Sequence, residues 1–227
     1  MKKIKKRWIL LGISAVVLIF VIIGTIFYNN TKVDPKSEEA DLASYLIEQD
    51  NIMSALTTNM QFTPTSSADL DFLYGMIPHY QASIQMSKSY LAYGGANGKL
   101  RRIAKDIIHD QTEDVKEMQT LASRLEKTAL SDTAVEETYL NSYNEILSEH
   151  QYFKHGTDTN QTVELAYVEG MTAHHTMAVD MAKTILTTSI NDDIRDCAED
   201  VLELQQDEIS QLRAAVYSQQ DPSFAGH

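Results

Sequence analysis

Two short segments of this chain repeat one pattern of soft donors: Met-x-x-His, six further residues, then a second Met. The first segment supplies Met76, His79 and Met86, and the second supplies Met171, His174 and Met181. At 3.6 residues per turn the three positions fall within an arc of about 80°, so a helix presents them on one face. The second segment is richer, because His175 follows His174 and Met177 fills the interval before Met181. Thioether sulfur and neutral imidazole are soft ligands, suited to Cu(I) and by extension Ag(I) over Mg²⁺, Ca²⁺ or Mn²⁺. One helix cannot close such a site, since its two outer Met residues stand about 15 Å apart along the axis. With the two helices antiparallel about a pseudo-twofold axis, Met181 approaches Met76 and His79, and Met86 approaches Met171 and His174. The competing reading is a core, because Met at helical spacing is an ordinary gap filler in bundles. Recurrence of the same His at the same spacing favours ligands at these positions. Met53, Met60 and Met118 have no His near them in sequence and read as packing.

The elements that must hold these residues are helices, and they repeat. At an offset of 95, Gly75, Met76, His79, Met86 and Lys88 align with Gly170, Met171, His174, Met181 and Lys183. At an offset of 94, Ile107, Ile108, Gln111, Asp114, Val115 and Met118 align with Val201, Leu202, Gln205, Glu208, Ile209 and Leu212. The one-residue change falls in the connection between helices, where a deletion costs little. The pattern predicts two duplicated helix hairpins, over about residues 66–128 and 162–217. Neither hairpin buries an apolar stripe alone, so together they predict a four-helix bundle over residues 66–217. A connector with its own helix joins them, from Ser131-Asp132 to about His150. An accessory helix over residues 38–62 packs outside the bundle, and residues 218–227 read as a flexible tail. The Gly94-Gly95-Ala96-Asn97-Gly98 run predicts a helix stop through left-handed backbone angles. Pro78 predicts a kink in the first motif helix that frees the Tyr74 carbonyl. Gln111 and Gln205 recur with the motif and are either exposed helix formers or buried amides that orient His79 and His174.

The residues ahead of this domain predict where it sits. Residues 1–7 are basic (Lys2, Lys3, Lys5, Lys6, Arg7), and Trp8 to Tyr28 is an almost unbroken apolar stretch. Roughly 20 apolar residues suffice to cross a bilayer, and the basic flank stays cytoplasmic. A single-pass anchor over 8–28 with a tether over 29–37 would leave the rest of the chain extracytoplasmic, at a cell membrane. A cleaved signal peptide is the rival, but its apolar region is shorter and a small-x-small cleavage site is expected after it.

Composition excludes several classes. The chain has 227 residues and a net charge of −13, which opposes nucleic-acid binding. Cys197 is the only cysteine, so no disulfide framework exists, and it reads as a small residue on an apolar stripe. Nine Gly and four Pro are too few for a turn-rich sandwich or barrel. No nucleophile elbow or phosphate-binding glycine loop occurs. A di-iron carboxylate centre has Asp106-x-x-His109 as its only approximation, and that pair reads as a solvated helix face.

The run Asp71-Phe72-Leu73, Met76-Ile77-Pro78-His79 and Gln81-Ala82 has a second counterpart in Met171 to His175 with Ala178-Val179-Asp180-Met181-Ala182. Together they resemble the two halves of the family known as domain of unknown function 305, which includes CopM-like copper-binding proteins. The resemblance covers about residues 66–217. It implies a ferritin-like, all-α bundle, exported or membrane-anchored, with Cu(I) or Ag(I) bound in the members assigned a role. Tyr80 departs from the family's usual His-His pair in the first half, so the resemblance carries no ligand role to that position and leaves the role of His175 in the second half open. These observations predict an external soft-metal domain for copper sequestration, delivery or tolerance, without catalysis, whose partners are the membrane, the metal ion and an envelope copper donor or acceptor. The alternative is a helical ectodomain that binds another envelope protein, with Met and His merely packed.

Overall fold

The computed structural model describes residues 38–95, 97–129, 131–150 and 162–217. The expected basic segment, anchor, tether and tail (1–7, 8–28, 29–37 and 218–227) lie outside these residues. Among the described residues all regular structure is helical: α1 (Glu38–Asn59), α2 (Ala68–Tyr93), α3 (Gly98–Thr128), α4 (Thr133–His150), α5 (Val163–Thr188) and α6 (Asp192–Tyr217). None of these helices is long and apolar enough to cross a membrane.

α2 pairs with α3 and α5 with α6 as helix hairpins, and the two hairpins meet through α2 against α5 and α3 against α6. α1 packs on α2 and α5, and so does α4. The result is three layers, with α1 and α4 outside, α2 and α5 in the middle, and α3 and α6 on the far side. Burial follows the layers: 16 of 26 residues are buried in α2 and 14 of 26 in α5. In α3 only nine of 31 are buried, and in α6 seven of 26. A helix covered on two faces must be apolar nearly all round, whereas an outer helix keeps one narrow stripe. The two motif helices are therefore the middle layer. The outer helices close it with Tyr45, Ile52 and Leu56 from α1, and Tyr139, Tyr143 and Ile146 from α4, all buried.

Side-chain caps start the helices where the sequence supplies them. Ser67 accepts from the Leu70 N–H, Thr162 from Leu165 and Asn97 from Lys99 and Leu100. α1 stops at Asn59, short of the 38–62 expected; Pro64 disfavours helical angles at Thr63 and keeps the chain from continuing. Pro78 stands inside α2 without ending it.

The glycine run after α2 works differently from the expectation. Gly94 has φ −70° and ψ 150°, and no described glycine takes a positive φ. Glycine is required there for space, because a Cβ would collide with the Tyr90 ring and carbonyl. What fixes the turn is Arg101, whose Nη1 donates to the carbonyl oxygens of Leu91 at 3.2 Å and Gly94 at 3.4 Å. Arg195 does the same after α5, donating to Leu186 at 2.8 Å and Ser189 at 3.1 Å. A cation on the last carbonyls of a helix satisfies orphan acceptors and complements the dipole.

Candidate metal centre

α2 and α5 run antiparallel. The Ser87 hydroxyl lies 2.9 Å from the Tyr167 hydroxyl, so chain beyond His79 meets chain before His174. Tyr90 stacks on Tyr167 with ring centroids 4.3 Å apart and planes 10° from parallel. Burial pushes both phenols above their usual range.

At the crossing the two motif histidines face each other. Their rings stack with centroids 3.6 Å apart, 13° from parallel. His79 Nε2 lies 3.0 Å from the His174 carbonyl oxygen, and His174 Nε2 lies 3.1 Å from the His79 carbonyl oxygen. A carbonyl can only accept, so each ring donates from Nε2, and in a neutral ring Nδ1 is then the nitrogen that carries the lone pair. The exchange is reciprocal, which places a local twofold axis between the rings. Both side chains are buried, at 0% and 2% exposure.

Met76, Met86, Met171, Met177 and Met181 are all buried in the same core as this pair. Antiparallel register sets their levels. Met76 precedes His79 by three residues and Met177 follows His174 by three, so both stand about 4.5 Å along the axis on the same side. Met181 lies further out on that side. Met171 stands on the other side, level with Ala82, with Met86 beyond it. One flank of the histidine pair thus holds three thioethers and the other two. Of the remaining methionines, Met60 and Met118 are buried and Met53 is half-buried, in keeping with packing.

His175, the eighth predicted ligand, is engaged elsewhere. Its ring centroid is 6.0 Å from that of His174, and its Nε2 lies 3.0 Å from Glu208 Oε2, within ion-pair range but outside hydrogen-bond alignment. Glu208 Oε2 also accepts from Gln111 Nε2 at 3.1 Å and Gln205 Nε2 at 3.2 Å. Gln205 reaches the Tyr80 hydroxyl at 3.4 Å. Both glutamines are fully buried, so neither is an exposed helix former, and neither orients His79 or His174, whose Nε2 groups bond the facing backbone. The amide N–H groups of both glutamines go to the Glu208 carboxylate, and the ring Nε2 groups of His79 and His174 already donate to backbone carbonyls. Burial drives the Tyr80 phenol well above its usual range, so it remains a neutral hydroxyl.

The sequence reading aligned Glu208 with Asp114 but gave it no role. A signal was present: with Val201, Gln205 and Leu212 it lies on the stripe that faces the bundle, where an acidic residue is costly unless partnered. Cys197 is half-buried, and desolvation, with Asp200, Asp114 and Glu117 nearby, lifts its thiol to about 12 and leaves it unreactive. His109 is exposed beside Asp110, on a solvated face as expected. Among the described residues, no three His, Cys, Asp or Glu side chains come together around one point.

An all-α layered bundle whose middle layer buries paired Met and His side chains is the class of protein defined here. The sequence profile described as Domain of unknown function (DUF305) matches residues 33–122 and 69–216, and the chain belongs to that family. Comparison with curated proteins returns no match. Solved structures similar to the chain include CopM in the Ag-bound form obtained by soaking, at 24% identity and a TM-score of 0.49, covering 70% of this chain and 98% of that one. CopM in the Cu(I)-bound form matches at 26% identity and a TM-score of 0.48 with the same coverage. CopM in the apo form matches at 25% and 0.48, over 67% of this chain and 96% of that one. With every one of these TM-scores below 0.5, the donor arrangement stands on this chain's own geometry.

Proposed function

We propose that this chain is a membrane-anchored, extracytoplasmic Cu(I)- and Ag(I)-binding protein that sequesters or delivers the metal, or confers tolerance to it, without catalysis. Its domain is a ferritin-like duplicate of two hairpins, related by the local twofold between His79 and His174. The observation that carries the reading is the stacked pair itself: two buried imidazoles tied through Nε2, with Nδ1 as their donor atoms, in a core flanked by five thioethers. Met76, His79, Met177 and Met181 would hold a cation on one flank, and Met171, His174 and Met86 on the other. Thioethers need no deprotonation, so such a site takes a soft cation over a wide pH range. The anchor reading rests on residues 8–28, whose apolar run and basic flank fit a span with the domain outside.

Among the described residues, Ile47 and Ile190 are the large apolar side chains left exposed, which lends the interaction-domain alternative little support. The test is a Cu(I) titration of the full chain under reducing conditions against a competing chelator, alongside His79→Ala/His174→Ala. Stoichiometric competition by the parent and at least a hundredfold loss in the double variant are expected. Equal binding by the two removes the proposed ligands.

A further inference from the structure

Every donor assigned above is neutral. A Cu(I) or Ag(I) ion held by thioethers and imidazoles would bring one uncompensated positive charge into the most buried layer of the protein, which is unfavourable unless a negative charge lies close. Asp71 and Glu136 are buried but committed elsewhere: the Thr65 N–H and hydroxyl donate to Asp71, and the Ser66 N–H donates to Glu136, at the starts of α2 and α4. Glu208 is different. It is 6% exposed, it lies against His175 in the residue layer next to the histidine pair, and it is fixed by amides from both hairpins.

We propose that Glu208 is the built-in counter-charge of the metal centre, held in place by Gln111 and Gln205. The inference rests on the soft-metal reading above and adds a residue that contributes no ligand atom. Two features distinguish this layer from mere packing. The Oε1 atoms of Gln111 and Gln205 are buried without a hydrogen-bond partner, so the layer is not a fully satisfied structural network. A buried carboxylate kept only for stability is also a poor device, since apolar replacements of such groups are often neutral or stabilising. The position equivalent to Glu208 in the first hairpin is Asp114, which is shorter and only half-buried, so the compensation is built into one half. Glu208 is thereby a positioning residue for charge: it favours a monovalent ion, giving a neutral pair of carboxylate and cation.

The experiment is competition for Ag(I), supplied as the nitrate salt, in the full chain and in Glu208→Gln, Glu208→Asp and Asp114→Asn, with apo and Ag-loaded melting temperatures recorded for each. Glu208→Gln keeps the shape and the capacity to accept hydrogen bonds but removes the charge. It should bind Ag(I) roughly tenfold more weakly, as expected for loss of a nearby charge in a partly shielded interior. The apo melting temperature should stay level or rise, while the Ag(I)-induced increase shrinks. Glu208→Asp should restore most of the affinity, and Asp114→Asn should match the parent. Carbon-13 NMR of glutamate carboxyl groups in the unmutated chain gives a second reading that needs no variant: one resonance should shift in step with added Ag(I). If the parent binds Ag(I) yet Glu208→Gln binds equally well, or no glutamate resonance moves, the counter-charge role is overturned and the layer serves only hairpin pairing. If the parent itself does not bind, the soft-metal reading fails with it.

Discussion

Residues 79 and 174 and their immediate successors, 80 and 175, form two neighbouring layers that treat the twofold axis in opposite ways. In the first, the same residue stands in both hairpins and the hydrogen bonds are exchanged symmetrically. In the second, the first hairpin contributes Tyr80 and Asp114, where the second contributes His175 and Glu208. A symmetric contact needs identical groups at matched positions, because each ring satisfies the other's backbone. The second layer carries charge, and two buried carboxylates facing across one axis would repel. One full carboxylate, shared by an amide from each hairpin, avoids that conflict. The difference teaches that the two hairpins are alike at the contact that depends on symmetry and differ where symmetry is electrostatically unfavourable.

The comparison breaks most visibly at the rings. His79→Ala and His174→Ala should each destabilise the apo chain by about 2–4 kcal/mol, through a buried void and a lost hydrogen bond. Because either truncation also deprives the surviving ring of its stacking partner, the double variant should cost at least about 1 kcal/mol less than the sum of the singles. Urea unfolding of the four chains gives the cycle, and strict additivity would mean that the rings do not support one another. Unequal single costs would mean that the reciprocal geometry is not energetically reciprocal.

A smaller, still symmetric effect is expected at the hairpin turns. Arg101→Ala and Arg195→Ala each remove two hydrogen bonds from a half-buried guanidinium to helix-terminal carbonyls. Each should cost about 1 kcal/mol, a fall of about 2–4 °C in melting temperature for a domain of this size. Matched losses sharpen the view of two equivalent hairpins. A loss confined to one would show that the turns are held by different means.

The particular residues also show what sequence can carry. The helical bundle of two hairpins was legible in the helix-period pattern, and the connections within the hairpins are short, 94–97 in one and 189–191 in the other. The meeting of His79 with His174 was not read: the spacing put each ring with Met residues of the facing helix, and only the packed helices show that the two rings stack on each other. The three-layer order was not read, although the near-continuous apolar character of α2 and α5 against the narrow stripes of α3 and α6 encodes it. Gly94 was assigned for its backbone freedom, when its use is to admit the Tyr90 ring. The partners of Gln111 and Gln205 were beyond reach for a different reason. A glutamine can donate or accept in several directions, and only the packing of four helices decides which acceptor arrives first.

The weakest expected effect is a dependence on pH that belongs to one hairpin alone. Asp114 is half-buried, and desolvation first, then Glu117, Asp110, Glu208 and Asp200, raise its carboxyl to about 6. In the unfolded chain an Asp titrates near about 4. A carboxyl raised on folding holds its proton more tightly in the native state, so its contribution to stability is fully present below about pH 4 and is lost as pH rises through about 6. Asp114→Asn keeps the neutral form at every pH. The variant should therefore match the parent near pH 4 and exceed it at pH 7 by about 1 kcal/mol, allowing for solvent screening of a half-buried group. Urea unfolding of both chains at pH 4, 5, 6 and 7 reads the divergence, which includes the relief of the carboxylates coupled to Asp114. Parallel stability curves would mean that neither burial nor the neighbouring carboxylates raise the Asp114 carboxyl on folding. The divided treatment of the axis would then rest on Glu208 alone.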